Sequence, residues 1–345
     1  MDADRLEAAL KELGEPAYRS GQVQRAVFRD CVGSYDEITS LPAALRRALA
    51  GKAPLSVVRE EAVLSSGDGR AHKAVLELAD AERIESVLLK TKPGEEWTAC
   101  ISCQVGCAVG CAFCATGRMG LTRSLTAEEI SDQVLFWRRR LKSGLPSGTL
   151  TNVVVMGMGE PFHCYEAVAR SLRTLIEPGG LGMSARRISV STSGVVPAME
   201  RFAAEFPQVN LAVSLHAADD ALRDRLVPLN KTYPLKSLAQ SLSRIIGAAR
   251  RKVLLEYALL AGENDSPEHA DRLEAFVREV GQPGLAHVNL IALNPTDSRH
   301  RPSPPETVRA FRDRLRRLGV PVSVRKSLGA DIQGACGQLV TSRRG

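Results

Sequence analysis

The chain has 345 residues, of which 44% are hydrophobic and 25% charged, and its formal net charge is +7. This length allows one large domain with a smaller accessory domain, and the composition is that of an ordinary globular protein. No apolar run is long enough to cross a bilayer and no apolar signal segment is evident, so we expect a cytoplasmic protein with reduced thiols and no membrane partner.

The first ninety residues change from a helical to an alternating pattern. Apolar spacing predicts helices over residues 5–13, 20–31 and 43–49. Alternation then predicts strands over residues 57–64, 71–78 and 84–89, with a hairpin turn at 66–69. The sequence therefore predicts a helical accessory domain over residues 1–54 and a small antiparallel β extension over residues 55–92.

Beyond Trp97 the strand and helix patterns alternate. Strands are predicted over residues 98–102, 152–156, 187–192, 210–215, 253–259 and 287–293, with a shorter one at 321–324. Thr126 and Glu129 form a predicted capping box at the start of a helix. Six strand–helix units predict an α/β fold, a partial parallel (β/α)6 barrel within residues 93–345. Chemistry in parallel barrels lies at the carboxyl ends of the strands, where the polar motifs between Cys100 and Asn294 fall.

Basic residues are concentrated at 138–142, 250–252, 314–317 and 343–344. Each cluster alone could be a solvated helix face or a tail, but together with the net charge they indicate a surface that faces RNA. Aromatic residues make up only 4% of the chain, so a stacking platform for single-stranded RNA is not evident.

Three cysteines, Cys107, Cys111 and Cys114, share one short segment with C-x3-C-x2-C spacing. Thiolates are the ligands that iron–sulfur clusters and zinc prefer. Three cysteines on a cubane cluster leave one iron open to a small molecule. Zinc with Cys100 or Cys103 as fourth ligand is the alternative, because structural zinc takes four ligands.

A lone cysteine, Cys336, lies far downstream between two glycines and is a candidate for a reactive thiol. Cys31 and Cys164 follow no pattern and are interpreted as buried or idle thiols. No role is assigned to them or to Cys103.

Several motifs resemble the RlmN/Cfr family of radical S-adenosylmethionine (SAM) RNA adenine methyltransferases. They are the segments 100–107 (CISCQVGC), 111–117 (CAFCATG), 156–161 (MGMGEP), 191–197 (STSGVVP), 214–216 (SLH) and 331–339 (DIQGACGQL). The resemblance covers nearly the whole chain, and the combination of Cys100 and Cys336 with the cluster motif is its most specific part.

The resemblance implies the cofactors and their ligands. One [4Fe–4S] cluster would be held by Cys107, Cys111 and Cys114, and two SAM molecules would be used per turnover. The implied SAM contacts are Gly159, Glu160, Ser191, Ser214, Leu215, His216 and Asn294. Alone, each of these could be a structural turn residue, and His216 could be a core histidine.

The resemblance also implies a mechanism. A first SAM methylates Cys336, and a radical derived from a second SAM removes a hydrogen atom from that methyl group. The methylene radical adds to adenine, which joins enzyme and RNA covalently. Glu85 is the implied acceptor of the ring proton, and Cys100 attacks the Cys336 sulfur, forming a transient disulfide and releasing the RNA. For Glu85, an exposed glutamate on a strand is the alternative.

The implied substrate is an adenine in the peptidyl-transferase loop of 23S ribosomal RNA, on a protein-poor assembly intermediate of the large subunit. We favour methylation at C2; C8 methylation of the same adenine, as in the Cfr branch that confers antibiotic resistance, is the alternative. Transfer RNA is a further expected substrate, a flavodoxin-like protein the expected electron donor, and a monomer the expected state. Two other classes remain open, a radical SAM enzyme with another substrate and a non-catalytic RNA-binding protein with a zinc knuckle.

Overall fold

The computed structural model describes residues 1–91, 94–282, 284–296 and 299–340. Three helices open the chain: α1 (Ala3–Glu12), α2 (Tyr18–Phe28) and α3 (Ala43–Lys52). Helix α1 begins where the Asp2 carboxylate accepts a hydrogen bond from Arg5 N at 2.9 Å, which satisfies one of the amides that a helix start leaves without a partner. The three predicted helices are confirmed, each within three residues at either end.

Four antiparallel strands follow the helices: β1 (Arg59–Ser65), β2 (Ala71–Glu77), β3 (Arg83–Leu89) and β4 (Glu96–Ile101). The predicted hairpin turn joins β1 to β2, closed by a 2.9 Å hydrogen bond from Gly69 N to Ser66 O. Strand β4 pairs with β3 on one side and, in parallel, with β7 (Thr149–Val155) on the other. The antiparallel extension and the barrel are therefore one sheet, and the predicted domain boundary at residues 92 and 93 falls outside the described residues.

The rest of the chain alternates between strands and helices. The further strands of the main sheet are β8 (Ile188–Thr192), β9 (Asn210–Ser214), β10 (Val253–Leu259), β11 (Ala286–Ala292) and β12 (Val322–Arg325). The helices after β4 are α4 (Ala115–Met119), α5 (Ala127–Lys142), α6 (Tyr165–Ile176), α7 (Val196–Glu205), α8 (Asp220–Leu226), α9 (Leu235–Ala249), α10 (Pro267–Val280) and α11 (Pro305–Arg317). The order β4-β7-β8-β9-β10-β11-β12 is parallel throughout.

Across the described ranges β4 and β12 do not pair with one another, so the parallel strands form an open, partial barrel. Six strand–helix units and a seventh short strand confirm the predicted architecture. A separate two-stranded ribbon, β5 (Gln104–Gly106) with β6 (Leu121–Ser124), was not predicted. Within the described part of the chain, no helix has the length and apolarity needed to span a membrane.

The basic cluster on α5 binds the accessory segments to the barrel. Arg138 donates to Leu181 O at 3.1 Å and Arg139 to Leu55 O at 3.4 Å, while Arg140 forms a 2.6 Å ion pair with Glu60. These arginines therefore make contacts within the protein, which the sequence did not predict when it assigned them to an RNA-facing surface. Arg343 and Arg344 of another predicted cluster lie outside the described residues.

Candidate active site

A cavity of about 200 Å³ lies at the carboxyl ends of the parallel strands. Its wall is formed by the loops that follow the strands and by the C-terminal segment after β12. Five cysteines line it together: Cys100, Cys107, Cys111, Cys114 and Cys336. The position agrees with the place where parallel barrels carry their chemistry.

The loop with three cysteines runs from the end of β5 to the start of α4. Gly106 has a φ of +80°, and a Cβ there would lie 1.9 Å from Gly120 O, so only glycine allows this crossing. Cys107 N donates to Gly120 O at 2.8 Å, which anchors one end of the loop. Burial raises the pKa of Cys107 to about 12 and that of Cys111 well above its ordinary value. Both sulfurs are therefore protonated until a metal displaces the protons.

The donor set fits an iron–sulfur cluster better than zinc. Structural zinc needs four ligands about 2.3 Å from a single ion, whereas a cubane binds each sulfur at a separate iron. Three soft sulfurs on one short, partly buried loop meet the second requirement.

Glu160 is a buried carboxylate at the end of the loop that follows β7. It accepts hydrogen bonds from Ser193 N at 2.7 Å and from Phe162 N at 3.1 Å. Burial raises its pKa, and these hydrogen bonds oppose the rise. Gly159 precedes it with a φ of +108°, where a Cβ would lie 2.7 Å from the Gln104 side chain. Both residues line the cavity, as a contact to an ammonium group of SAM requires.

Ser191 and Ser214 end neighbouring strands, with their hydroxyl oxygens 3.4 Å apart at the cavity wall. His216 also lines the cavity, and its Nδ1 accepts a 3.0 Å hydrogen bond from Ala258 N. Burial lowers the pKa of His216 to about 3, so the ring is neutral with its proton on Nε2. The side chain of Leu215 is fully buried and is not among the residues of the cavity wall, so its contact with SAM stays a prediction.

The segment with Cys336 is held against the cavity at several points. Asn294 Nδ2 donates to Cys336 O at 3.0 Å, and the Asn294 side-chain oxygen accepts from Ser327 Oγ. Ala115 N donates to Gly337 O at 2.8 Å, which connects this segment to the helix that follows the three-cysteine loop. Asn294 therefore positions the Cys336 segment as well as lining the cavity.

Cys100, on β4, shares the cavity with Cys336, and both are free thiols. Burial raises the pKa of Cys100 to about 12; the neighbouring Cys336 adds to the rise, and the Arg325 guanidinium opposes it. Exchange between these thiols would require the two sulfurs to approach each other within the cavity.

Glu85 lies on β3, buried, one step outside the cavity. Its carboxylate forms a 2.8 Å ion pair with Lys73 and accepts a 3.0 Å hydrogen bond from Val340 N. Burial raises the pKa of Glu85, while Lys73 opposes the rise. Glu85 is thus not the exposed strand glutamate of the alternative interpretation.

Three charged residues near the site were not predicted. Glu256 is buried within β10, where both of its oxygens accept from Asn289 Nδ2, and it lines the cavity with Arg325. Arg223 on α8 is fully buried beside the strand ends. The sequence could have identified Glu256 as a candidate site residue, because strands of parallel sheets are covered on both faces and a carboxylate inside the apolar run of β10 is therefore unusual. The arginines carry no such signal.

Comparison with known proteins identifies the class. The pattern of the Radical SAM superfamily matches residues 101–273 of the chain. A crystal structure of a radical SAM methyltransferase from Sphaerobacter thermophilus is 45% identical, with a TM-score of 0.92 over 98% of this chain and 97% of that one. The fold and the cysteine-lined cavity are therefore those of a radical SAM enzyme, which uses a [4Fe–4S] cluster and SAM.

Curated relatives define the family more narrowly. A probable dual-specificity RNA methyltransferase RlmN from Moorella thermoacetica is 44% identical over 97% of this chain and 94% of its own length. The dual-specificity RNA methyltransferase RlmN of Sorangium cellulosum is 42% identical over 96% of this chain and 92% of its own length. The chain belongs to the RlmN family of radical SAM RNA methyltransferases, and its substrate is RNA.

Proposed function

We propose that the protein methylates C2 of an adenine in the peptidyl-transferase loop of 23S ribosomal RNA through a methyl group carried on Cys336. One observation supports this most strongly: Cys336 and Cys100 share a cavity with the three-cysteine loop. A simple methyl transfer from SAM would need neither cysteine. Two free thiols beside a cluster site fit a reaction in which the enzyme is methylated first.

Cys107, Cys111 and Cys114 would hold the cluster, which when bound supplies the electron that starts the radical chemistry of SAM. Glu160 and the backbone at Gly159 would hold the amino group of SAM. The hydroxyl groups of Ser191 and Ser214 would form hydrogen bonds with other polar atoms of SAM. Neutral His216 offers an Nε2 hydrogen to a ligand oxygen or nitrogen, because its Nδ1 is already an acceptor.

Cys336 and Cys100 would act in sequence on the one-carbon unit. The Cys336 thiolate takes a methyl group from one SAM, and the second SAM serves to activate that methyl group. After the carbon has joined adenine, the adduct returns its unpaired electron to the redox centre that started the reaction, and Glu85 takes the ring proton. The Cys100 thiolate then attacks the Cys336 sulfur, so that an S–S bond forms and the S–C bond breaks. The electron pair of the broken bond stays on the carbon, which takes a proton and becomes the methyl group.

The choice of C2 follows the resemblance to the RlmN branch of the family and not a contact in the cavity. The relatives named above are called dual-specificity RNA methyltransferases, which supports a second RNA substrate, and we propose that it is transfer RNA. Lys326 is exposed at the cavity wall and would contact RNA phosphates. Helices α1 to α3 would contribute to RNA binding. A protein-poor assembly intermediate as substrate, a flavodoxin-like electron donor and a monomeric enzyme complete the proposal.

The test is mass spectrometry of nucleosides from 23S ribosomal RNA and transfer RNA in a host that lacks its own C2 enzyme. Expression of this chain should produce 2-methyladenosine, and the Cys336→Ala variant should not. A peak of 8-methyladenosine would assign the chain to the C8 alternative. Absence of both products, from protein shown to hold its cluster, would refute the proposal.

A further inference from the structure

Lys73 and Glu85 form an ion pair in the interior of the protein. Lys73 Nζ lies 2.8 Å from Glu85 Oε1, and the two residues are only 5% and 3% exposed. Val75 is opposite Glu85 in the β2–β3 ladder, so Lys73 is the diagonal neighbour of Glu85 on the same face of the sheet. Cys100 on β4 is opposite Val87 and lies on this face as well. The accessory hairpin thus extends the inner face of the barrel and brings a lysine to it.

The same two side chains hold both ends of the segment that contains Cys336. Lys73 Nζ donates to Gln333 O at 3.4 Å, and Val340 N donates to Glu85 Oε2 at 3.0 Å. A third contact, from Gly67 N to Asp331 Oδ2 at 2.9 Å, joins the turn of the hairpin to the same segment. Cys336 therefore lies between two points that are fixed by one ion pair.

Stability alone does not explain this arrangement. A buried ion pair is often no more stabilising than apolar side chains of similar size, since both charges lose their hydration. Burial alone would favour the protonated form of Glu85, and the ammonium group of Lys73 opposes that effect. A general base must be ionised to accept a proton. The ammonium group of Lys73 therefore keeps Glu85 ionised at this buried position.

We propose that Lys73 is a positioning residue for the proton-transfer step: it keeps Glu85 ionised and oriented, and it couples Glu85 to the Cys336 segment. This inference rests on the proposed roles of Glu85 and Cys336. The step moves one proton from the substituted adenine carbon to Oε2 of Glu85. The C–H electron pair stays on the ring, and the unpaired electron left by the radical addition returns to the redox centre that started the reaction. Because Val340 N occupies Oε2, the end of the segment must move away before adenine reaches the carboxylate. Lys73 then holds Oε1 while Oε2 accepts the proton.

The experiment compares Lys73→Met, Lys73→Gln and Lys73→Arg in full-length protein with its cluster. Three quantities are measured: methylation of Cys336 by intact-protein mass spectrometry, covalent enzyme–RNA adduct on denaturing gels, and methylated adenosine in the RNA. Lys73→Gln retains a hydrogen-bond donor without a charge, so it remains informative if Lys73→Met does not fold. Lys52→Met is the matched control, because Lys52 forms a 2.6 Å pair with Glu12 between far more exposed side chains.

We expect Lys73→Met and Lys73→Gln to methylate Cys336 normally, to accumulate enzyme–RNA adduct and to form product at least about 10-fold more slowly. Lys73→Arg should restore product formation to within about 3-fold of the wild type, since it restores the cation. Full product formation in the uncharged variants would overturn the inference. Loss of Cys336 methylation in them would also overturn it, because Lys73 would then serve only to fold the segment. If the wild-type protein itself shows no methylated Cys336, the proposed function fails instead.

Discussion

Removal of the Arg223 guanidinium should destabilise the protein strongly. Its nitrogens donate to Leu215 O at 3.0 Å, Asn230 Oδ1 at 2.9 Å, Ser193 O at 2.7 Å and Ser214 O at 3.2 Å. Burial lowers the pKa of Arg223 to about 10, so the group remains charged at neutral pH. One side chain therefore ties together the ends of β8 and β9, which carry proposed SAM contacts.

The Arg223→Met variant removes the guanidinium from four acceptors. Leu215 O keeps a 2.8 Å hydrogen bond from Ala217 N, so three acceptors lose the donor: Asn230 Oδ1, Ser193 O and Ser214 O. A buried polar group that loses its partner costs about 1–3 kcal/mol. At the low end of this range for three acceptors, the free energy of unfolding should fall by about 3 kcal/mol, a large part of the 5–15 kcal/mol of a typical domain. Arg223→Lys should lose less, because an ammonium group retains the charge and three donors but cannot reach all four acceptors.

Urea unfolding of the cluster-free chain, followed by circular dichroism, measures this difference. Arg225→Met is the matched control: Arg225 lies on the same helix, is exposed, and makes one 3.5 Å hydrogen bond to Ala221 O. Its free energy of unfolding should change by less than about 0.5 kcal/mol. A loss below about 1 kcal/mol for Arg223→Met would refute the assigned role of the guanidinium.

Three further predictions concern the cavity wall. Glu160→Gln should weaken SAM binding at least about 10-fold, because the amide oxygen cannot accept from both backbone donors and the side chain lacks the charge that attracts an ammonium group. Titration of the reduced cluster with SAM, followed by electron paramagnetic resonance, measures this affinity. An unchanged affinity would argue against a contact between Glu160 and SAM. Gly159→Ala should lower the free energy of unfolding by about 1–3 kcal/mol, because residue 159 has a positive φ and a new Cβ would collide with the Gln104 side chain. A free energy of unfolding in urea equal to that of the wild type would contradict this prediction. Burial raises the pKa of Cys100 to about 12, so iodoacetamide at pH 8 should alkylate it about 100-fold more slowly than the partly exposed Cys31. The rate of alkylation of Cys100 should rise toward pH 11. Peptide mapping that finds equal rates for the two cysteines would show that Cys100 is accessible and ionised.

The sequence predicted the main elements well because their patterns are long. The three N-terminal helices and the seven parallel strands were predicted to within a few residues, since apolar periodicity depends on which face is buried. The ribbon of β5 and β6 was missed because strands of three and four residues carry almost no alternation. The open edge between β4 and β12 agrees with the predicted partial barrel.

The site was predictable where chemistry requires particular residues at close spacing. The spacing of Cys107, Cys111 and Cys114 indicated a metal centre, and the resemblance supplied Cys100 and Cys336. The roles of Lys73 and Arg223 were not predictable, because each depends on partners far along the chain: Gln333 for Lys73, and the ends of two strands for Arg223. From the sequence alone, a single lysine in an alternating strand is expected to face solvent. Only the pairing register of β2 with β3 shows that Lys73 faces Glu85.

The central claim, that Cys336 carries the carbon and Cys100 releases it, is tested most directly by a search for trapped enzyme–RNA adduct. Cluster-loaded Cys100→Ala and Cys336→Ala proteins would be incubated with SAM, a reductant and ribosomal RNA, then digested and mapped by mass spectrometry. The account predicts a nucleotide attached to Cys336 through one carbon in Cys100→Ala, and no adduct in Cys336→Ala. Methylated RNA without any adduct from a folded, cluster-bearing Cys100→Ala protein would contradict it.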